Sequence, residues 1–289
     1  MAQIRAIRRR MVAVGTISRI TKTMQMIATA KFTAALTRAK DSRPYTEAIR
    51  RLVGEVSGDA GDYDSPLFKA NQNARKELLL VISSDRGMCG AYNGNILRMA
   101  LKHVRAANTS GSEVEVETAG KKAAAFFKFQ KITPVEKFSL GDKPTYEDVA
   151  RLADRYMEEF AAGKWDAVRV VYTRFESNAK QVAEIIQLLP LVADAHDEEL
   201  SGTSANYEFS PSASEILDDL LPRSLKTTLF QVFNDAIVSE QIMRMVAMKA
   251  ATENANEIGR DLRRDYNRAR QAQITTELTE IISGAAALE

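Results

Sequence analysis

The stretch that decides the fold is Leu225–Ala250, which reads LKTTLFQVFNDAIVSEQIMRMVAMKA. Positions that are apolar except for one serine recur in it at alternating steps of four and three residues: Leu225, Leu229, Val232, Ala236, Ser239, Met243, Val246 and Ala250. This spacing is typical of a coiled-coil seam. No proline follows Pro222, so the sequence predicts one helix of 61 residues over 223–283, about 90 Å long at a rise of about 1.5 Å per residue. A helix of that length must project from the rest of the chain.

The apolar pattern changes further along this helix. Steps of three, four, four and three separate the next apolar positions, which are Ala255, Ile258, Leu262, Tyr266 and Ala269. This rhythm approaches an eleven-residue repeat, which relaxes left-handed winding. We therefore expect a coil that is unevenly wound.

The N-terminal 43 residues also contain no proline and only one glycine. Two groups of apolar residues each step by three, four and three: Ile4, Ile7, Met11 and Val14, then Ile17, Ile20, Met24 and Ile27. The join from Val14 to Ile17 is three residues where four is expected, so the pattern predicts a slip of the seam and a more compliant section there.

Each seam is narrow, so pairing the two terminal helices is the economical way to bury both. We expect an antiparallel coiled coil if both helices project the same way from the middle of the chain. The alternative is a pair of ordinary amphipathic helices packed on the globular part, and their length counts against it.

The middle of the chain alternates strand and helix patterns. The apolar run 78–82 predicts a buried strand, Val114 and Val116 a second one, and 168–175 with 182–189 a strand hairpin. Helical patterns cover 95–106, 121–129 and 146–160. The predicted fold class is α/β: a central mixed open sheet at the base of a long antiparallel coiled coil. The predicted domains are 1–58, 75–200 and 211–289.

Composition excludes several classes of protein. With 45% hydrophobic and 27% charged residues, the 289-residue chain has the composition of a globular protein. One cysteine rules out an internal disulfide and a cysteine-rich metal cluster. No apolar run approaches the roughly 18–20 residues of a membrane span, so we expect membrane contact only through a partner.

Charge is unevenly distributed although the net charge is only +2. The first 40 residues carry nine basic side chains and no acidic one. Such a helix faces nucleic acid, lipid headgroups or an acidic protein surface. A basic coiled-coil tether for nucleic acid therefore stays open, although no aromatic residue lies in positions 1–31 to stack on bases. A transit peptide is also rich in arginine, but a seam that pairs with the far end of the chain counts against it.

No catalytic constellation stands out. The turn 85–90 has glycine spacing G-x-x-G, which a tight strand-to-helix turn explains better than phosphate binding, and no G-x-x-x-x-G-K-[ST] motif occurs. Cys89 reads as a buried structural thiol, while His103 and His196 read as solvated side chains. We expect no catalytic residue, no metal and no cofactor. An enzyme built on a dinucleotide-type sheet stays open as an alternative.

Three regions together resemble the gamma subunit of F-type ATP synthase. They are ITKTM (20–24) with AKF (30–32) and SRPY (42–45); SDRGMCG (84–90); and MVAMKAAT (245–252) with NRARQAQITTELTEIISGAAAL (267–288). The last motif is highly specific and the order of the pieces fits. The resemblance spans the chain, although 112–210 matches more in layout than in motif.

The resemblance implies partner-binding residues. Met24, Lys31 and Arg86 match positions that face the acidic lever loop of the catalytic beta subunits. Arg270, Gln271 and Thr275 resemble polar contacts with a beta subunit, and residues 281–288 resemble the tip in the apolar bearing of the hexamer. Tyr207 and Glu208 fall, by position more than by motif, where the family meets the epsilon subunit and the membrane rotor ring.

The resemblance also implies a function without an active site. The chain would be the rotor shaft of a proton-translocating ATP synthase, with the alpha3-beta3 hexamer, the epsilon subunit and the rotor c-ring as partners and no nucleic acid. One cysteine means that the paired-thiol insert of the chloroplast members is missing. We expect a peripheral membrane protein on the cytoplasmic side of a bacterial inner membrane.

Overall fold

Apolar strands of high β-propensity build a five-stranded sheet at the centre of the fold. The computed structural model describes residues 2–59, 65–68, 75–139, 141–191 and 212–286. The strands are β1 (Lys76–Ile82), β2 (Glu113–Ala119), β3 (Glu136–Phe138), β4 (Ala167–Phe175) and β5 (Gln181–Leu189), in the spatial order β3-β2-β1-β4-β5. The first four are parallel, and β5 pairs antiparallel with β4. The mixed open sheet and the hairpin are thus confirmed, whereas the three-residue edge strand β3 was not predicted.

Helices cover both faces of this sheet. The helices are α1 (Ala2–Asp59), α2 (Tyr92–Thr109), α3 (Lys121–Phe129), α4 (Tyr146–Ala161) and α5 (Ala213–Ala286). One face packs against α2 and α3 through Leu79 and Val81 of β1. The other face packs against α4 and the part of α5 over 225–236 through Leu78 and Leu80. Alternate residues of β1 thus serve two separate cores, as period two in a strand requires.

The chain divides into two compact units. Unit 1 contains Met1–Thr29 and Arg244–Glu289, and unit 2 contains Ala30–Met243 with the whole sheet. The predicted boundaries 1–58, 75–200 and 211–289 instead separate the two terminal helices from the middle of the chain that contains the sheet. They stay a prediction. α5 begins ten residues before the helix predicted over 223–283, since Pro222 lies inside it, and α1 likewise continues through Pro44. An interior proline removes one hydrogen bond without always ending a helix.

In unit 2, α1 runs antiparallel to α5. Ser42 Oγ donates a hydrogen bond to Gln231 Oε1 at 2.8 Å, and Val56 packs with Leu217. The residues of α1 that turn inward are Phe32, Ala35, Ala39, Ser42, Thr46, Ile49, Val53 and Val56, at strictly alternating steps of three and four.

The predicted apolar seam of α5 lies on the sheet, not on α1. Leu225, Leu229, Val232 and Ala236 belong to the core that α4 and the sheet share, and Ser239 Oγ donates to the backbone oxygen of Thr173. The prediction was wrong because α5 is buried on two sides over this stretch. The more apolar side faces the sheet, and the side that pairs with α1 is polar.

In unit 1 the two helices also run antiparallel, in a strict heptad register. Ser18 Oγ donates to Asn256 Oδ1 at 2.7 Å, the hydroxyls of Thr21 and Thr252 lie 2.8 Å apart, and a Cβ on Gly259 would meet Val14. In each of these pairs the two residue numbers add up to 273 or 274.

This register corrects the predicted slip at Val14–Ile17. The inward residues of α1 are Ile4, Ile7, Met11, Val14, Ser18, Thr21, Gln25 and Ala28, without a break in the heptad. Ile17 and Ile20 are 51% and 54% exposed. The slip was inferred because these isoleucines were placed in a seam that small polar residues occupy. The compliant section proposed there has no basis in the packing.

The eleven-residue rhythm of α5 is likewise wrong. Its inward positions in unit 1 are Met248, Thr252, Ala255, Gly259, Leu262, Tyr266, Ala269 and Gln273, again at steps of four and three. Val246 and Ile258, both placed in the seam from the sequence, are exposed. Gly259 occupies the position expected for Ile258, and a Cβ there would be in ordinary contact with Val14 of α1.

Candidate partner-binding surfaces

The glycine-containing turn 84–90 joins β1 to α2 and presents Arg86. Ser84 Oγ donates to the backbone oxygen of Arg86 at 2.6 Å, and Asn93 Nδ2 donates to Ser84 Oγ at 2.7 Å. Met88 and Gly90 have positive φ angles of 61° and 59°, which let the chain reverse twice within three residues. The turn is thus fixed from inside while Arg86 and Met88 point outward, both exposed.

The same turn organises the carboxyl edge of the sheet. Asp85 Oδ1 accepts a hydrogen bond at 2.9 Å from the backbone nitrogen of Lys121, the first residue of α3. Gly120 precedes that residue with a φ of 103°. The first backbone N–H groups of a helix have no acceptor within the helix. Asp85 accepts a hydrogen bond from one of them, which an anionic ligand would otherwise do.

α5 fills the crevice where an open α/β sheet of this topology would bind a ligand. In such sheets ligands bind at the carboxyl ends of the strands where the strand order reverses, here between β1 and β4. The crevice is reduced to a small cavity, which is lined by Phe233, Ala236 and Ile237 of α5. That cavity measures about 40 Å³, whereas pockets for small organic ligands measure about 300–1,000 Å³. The dinucleotide-type enzyme has no room at this edge.

Lys31 lies in unit 2 and is engaged within the chain. Its Nζ is 2.5 Å from Asp142 Oδ2, with both side chains about half exposed. Arg38, two turns further along α1, donates to the backbone oxygen of Asp142 at 3.5 Å. An exposed pair of this kind contributes about 0–1 kcal/mol, so a stronger carboxylate partner could replace Asp142.

Met24 lies in unit 1 and is half-buried beside the heptad positions of α1. The same helix exposes five large apolar side chains within this unit: Val12, Ile17, Ile20, Met26 and Ile27. Single exposed apolar residues are ordinary, but five of them so close together on one helix indicate a surface that a partner covers.

Arg270, Gln271 and Thr275 are all exposed on α5 in unit 1. Thr275 Oγ1 donates to the backbone oxygen of Gln271 at 3.0 Å, so these two residues share one side of the helix. By the register of the pairs above, residues of α5 after Gln273 lie beside no described residue of α1. Ile274, Leu278, Ile281 and Ile282 are all more than half exposed there. Of the predicted tip, 287 and 288 lie outside the described residues.

Tyr207, Glu208 and His196 also lie outside the described residues. His103 differs from the prediction: its Nε2 lies 2.5 Å from Glu77 Oε1, and its side chain is only 22% exposed. Glu77 also binds Arg169 at 2.5 Å, so the imidazole belongs to a buried charge cluster that the sequence pattern did not reveal. Cys89 is buried, as predicted.

A second charge cluster ties α4 to the sheet. Glu117 of β2 accepts hydrogen bonds from Tyr156 and Arg155 at 2.7 Å each, and Arg155 also bonds Glu136 of β3. Burial raises the pKa of Glu117, an effect that Tyr156 and Arg155 partly offset. Every strong donor in this cluster already has an acceptor within the chain, so its role is structural.

In the part of the chain that the structure describes, no three histidine, cysteine or acidic side chains are grouped to hold a metal. Over the same residues, no helix has a stretch both long and apolar enough to cross a membrane.

Sequence reasoning missed the exposed isoleucines on α1, because it placed Ile17, Ile20 and Ile27 inside the seam. The signal was present in their spacing. A continuous heptad drawn from Ile4 passes through Ser18 and Thr21, which leaves these isoleucines on the outside.

Comparisons with known proteins agree on one family. A family model described as ATP synthase matches residues 3–288. A curated ATP synthase gamma chain of Rhodopirellula baltica is 42% identical over 295 residues, and one of Leptospira biflexa is 39% identical over 290. A third, from Xanthomonas campestris, is 36% identical over 289 residues. Each alignment covers 100% of both chains.

Solved structures show the same fold at lower identity. A chain of the Euglena gracilis mitochondrial ATP synthase, from an assembly of OSCP, F1 and c-ring, superposes with a TM-score of 0.70 at 20% identity, covering 99% of this chain and 95% of that one. A central-stalk chain from Tetrahymena thermophila gives a TM-score of 0.59 at 21% identity, covering 80% of this chain and 99% of that one.

Proposed function

The chain belongs to the family of ATP synthase gamma chains, and on this premise we propose how it works as the central shaft of a proton-translocating F-type enzyme. In this proposal, rotation of the membrane ring turns the shaft, and the shaft changes the conformation of each catalytic beta subunit in turn. The chain is a non-catalytic subunit of that complex.

One observation carries the proposal: two unlike helices pair in a strict antiparallel register in unit 1, and α5 continues past the pair. A strict heptad seam lets each helix support the other against bending and twisting. The exposed surface of this unit is then the surface that acts on partners.

The exposed surface of unit 1 has no threefold symmetry. α1 contributes exposed apolar side chains, among them Ile17 and Ile20, whereas α5 contributes alternating charges, among them Glu257, Arg260 and Asp261. Three equivalent beta subunits around such a pair cannot make the same contacts at once. Each is therefore stabilised in a different conformation, and rotation passes these conformations from one subunit to the next.

Some of the proposed contact residues are supported by their exposure in the structure, and others by sequence position alone. Lys31 and Arg86 are exposed cations suited to an acidic lever loop, and Met24 is a half-buried apolar residue with Ile20 and Ile27 as exposed neighbours on the same helix. Arg270, Gln271 and Thr275 present a fork of donors and two hydrogen-bonding groups for a beta subunit. Tyr207 and Glu208 are proposed for the epsilon subunit and the rotor ring from sequence position alone.

The proposed partners are the alpha3-beta3 hexamer, the epsilon subunit and the c-ring. The complex is membrane-associated, and we propose that this chain works on the cytoplasmic side of a bacterial inner membrane. The bacterial origin of its relatives supports that side.

Reconstitution tests the proposal. Alpha and beta subunits of the same organism are purified with and without this chain, and ATP hydrolysis and rotation of a bead on the chain are measured. We expect a stoichiometric complex, rotation in one direction, and no nucleotide bound by the chain alone. A chain that remains outside the hexamer would contradict the function.

A further inference from the structure

The helices on the two faces of the sheet differ in charge. α2 and α3 contain no aspartate or glutamate in their 18 and 9 residues. α4, on the opposite face, contains five in its 16 residues. The exposed cations of the first face, here called the basic face, are Arg98, Lys102, Arg105, Lys121, Lys122, Lys128 and Lys131.

These cations form one surface. Arg98, Lys102 and Arg105 are four and three residues apart, so they form a stripe along the solvent side of α2. α3 packs beside α2 over a shared apolar core that includes Phe127. Lys131 follows directly on the end of α3.

The charges of the basic face have no ion-pair partner among the described residues. Elsewhere in unit 2 lysines are commonly paired: Lys164 with Glu159, Lys180 with Glu176, and Lys226 with Asp154. The one acid in the stretch 121–137 is Glu136, and Arg155 binds it from α4. The basic face thus keeps a positive potential that folding of the chain does not use.

An exposed aromatic side chain lies at the end of this face. Phe129 is 82% exposed, the largest exposed fraction among the large apolar residues of the described chain. The backbone behind it is held, since the nitrogen of Ile132 donates to the oxygen of Phe127 at 2.9 Å and Lys131 has a φ of 62°. Val135 is also exposed nearby in sequence. Phe129 is therefore presented to solvent by a rigid helix end.

The combination fits a protein partner better than a lipid surface. A helix that lies in a membrane interface needs an apolar stripe along its length, and α2 exposes no large apolar side chain. One aromatic anchor with a rim of cations is the arrangement of a protein–protein interface, in which a ring fills a pocket and charges set orientation and association rate.

We propose that the basic face docks an acidic subunit of the rotary complex, which receives Phe129 in an apolar pocket and faces the lysines of α3 with carboxylates. This proposal rests on the proposed function, because it takes the partner from the same complex. It concerns a different surface from the beta contacts, since none of the seven cations nor Phe129 belongs to them.

The test compares the purified complex with the purified full chain. Lysine acetylation by an N-hydroxysuccinimide ester is measured by mass spectrometry in both. We expect Lys121, Lys122, Lys128 and Lys131 to be labelled several-fold less in the complex. We also expect the variant K128E/K131E to retain one acidic subunit about tenfold less well at 150 mM salt. The variant Phe129→Ser should weaken the binding of that same subunit.

Matched controls separate docking from folding. The variant K40E/K143E reverses two exposed lysines of unit 2 outside the basic face, and it should retain every subunit. Circular dichroism of K128E/K131E should match that of the wild-type chain, because neither lysine contacts the core.

Three results would overturn the proposal. Equal labelling in the complex and the isolated chain would show that nothing covers the face. Full subunit retention by K128E/K131E would show that its charges do not hold a partner. Binding of the wild-type chain to phosphatidylserine vesicles, lost in K128E/K131E, would assign the face to lipid. Failure of the chain to join the nucleotide-binding subunits at all would instead mark failure of the proposed function.

Discussion

Single residues at the carboxyl edge of the sheet set how closely its strands and helices approach. Gly120 ends β2 at a φ of 103°, and a Cβ there would lie 2.2 Å from the backbone oxygen of Ser83. That oxygen belongs to fixed backbone and cannot move aside like a flexible side chain. Gly120 is therefore required twice, by its backbone conformation and by the space around it.

Replacing Gly120 should lower the free energy of unfolding far more than replacing a glycine that has a positive φ but free space around it. We expect Gly120→Ala to lower the free energy of unfolding by about 3 kcal/mol or more, and Gly163→Ala by about 1 kcal/mol. Gly163 has a φ of 73°, and a Cβ added to it would meet nothing within 4 Å, so it isolates the cost of the dihedral angle. Urea denaturation of the full chain measures both, and equal losses would show that the contact with Ser83 is unimportant.

Asp235 is a buried acid on the side of α5 that faces α1. Burial raises its pKa to about 6 from 3.8, an effect that Arg43 and a hydrogen bond from Gln231 partly offset. Since the folded state holds the proton more tightly than the unfolded chain, the charged carboxylate opposes folding above about pH 6. The penalty disappears as the pH falls through 6 toward 3.8.

We expect Asp235→Asn to stabilise the chain at pH 8 by about 2 kcal/mol and to give little gain at pH 4. The difference in unfolding free energy between variant and wild type, measured across this pH range, reports on this one group. Asp219→Asn, an exposed change on the same helix, serves as control. A gain that does not depend on pH would contradict the assignment.

At the scale of elements, the two terminal helices meet through polar side chains as well as apolar ones. Ser18 with Asn256, Thr21 with Thr252 and Ser42 with Gln231 bond across the pair. Hydrogen bonds of this kind contribute about 0.5–1.5 kcal/mol each, and they favour this register because a shift of one residue removes them. The exposed apolar residues of α1 in unit 1, among them Ile17, Ile20 and Ile27, are left for partners.

A double-mutant cycle on Thr21 and Thr252 tests this account. We expect each single change to valine to lower the free energy of unfolding by about 1 kcal/mol, because it leaves one hydroxyl without its partner across the pair. The double variant should lose less than the sum, with a coupling of about 1 kcal/mol. Thr16→Val, exposed on the same helix, should be close to neutral. Strict additivity would show that the 2.8 Å contact is incidental.

At the scale of the whole molecule, sheet-bearing unit 2 and two-helix unit 1 have separate tasks. Unit 2 has an apolar core on each face of its sheet. In unit 1, α5 after Gln273 contributes no described buried residue and exposes four large apolar side chains. Residues at this end should therefore matter for assembly and little for stability.

Deleting residues 280–289 should leave the fold intact and weaken the contact between the end of α5 and the hexamer. We expect unchanged circular dichroism and an unfolding free energy within about 0.5 kcal/mol of wild type. We expect lower torque in single-molecule rotation with alpha3-beta3, since Ile281 and Ile282 are lost. Deleting only 287–289 is the matched control and should retain more of the torque. Collapse of the helical signal in the longer deletion would contradict the division of tasks.

The sequence by itself determined most elements of this protein, although not the edge strand β3. Strand and helix patterns were local: the apolar run 78–82 predicted a buried strand, and the bounds 121–129 of α3 were predicted to the residue. The proposed contact residues Lys31, Arg86, Arg270, Gln271 and Thr275, all exposed, came from motifs in the sequence.

Only the tertiary structure decided which side of each long helix packs on the sheet, which side packs on the other helix and which side is exposed. Hydrophobic periodicity reports the most apolar side of a helix, and on α5 that side belongs to the sheet at Leu225 and Leu229. The side that pairs with α1 is polar at Asn256 and Thr252, and it satisfies its hydrogen bonds across the seam. The polar positions of a seam are invisible to a rule that seeks apolar repeats, because their favourable energy arises only when both partners are in place.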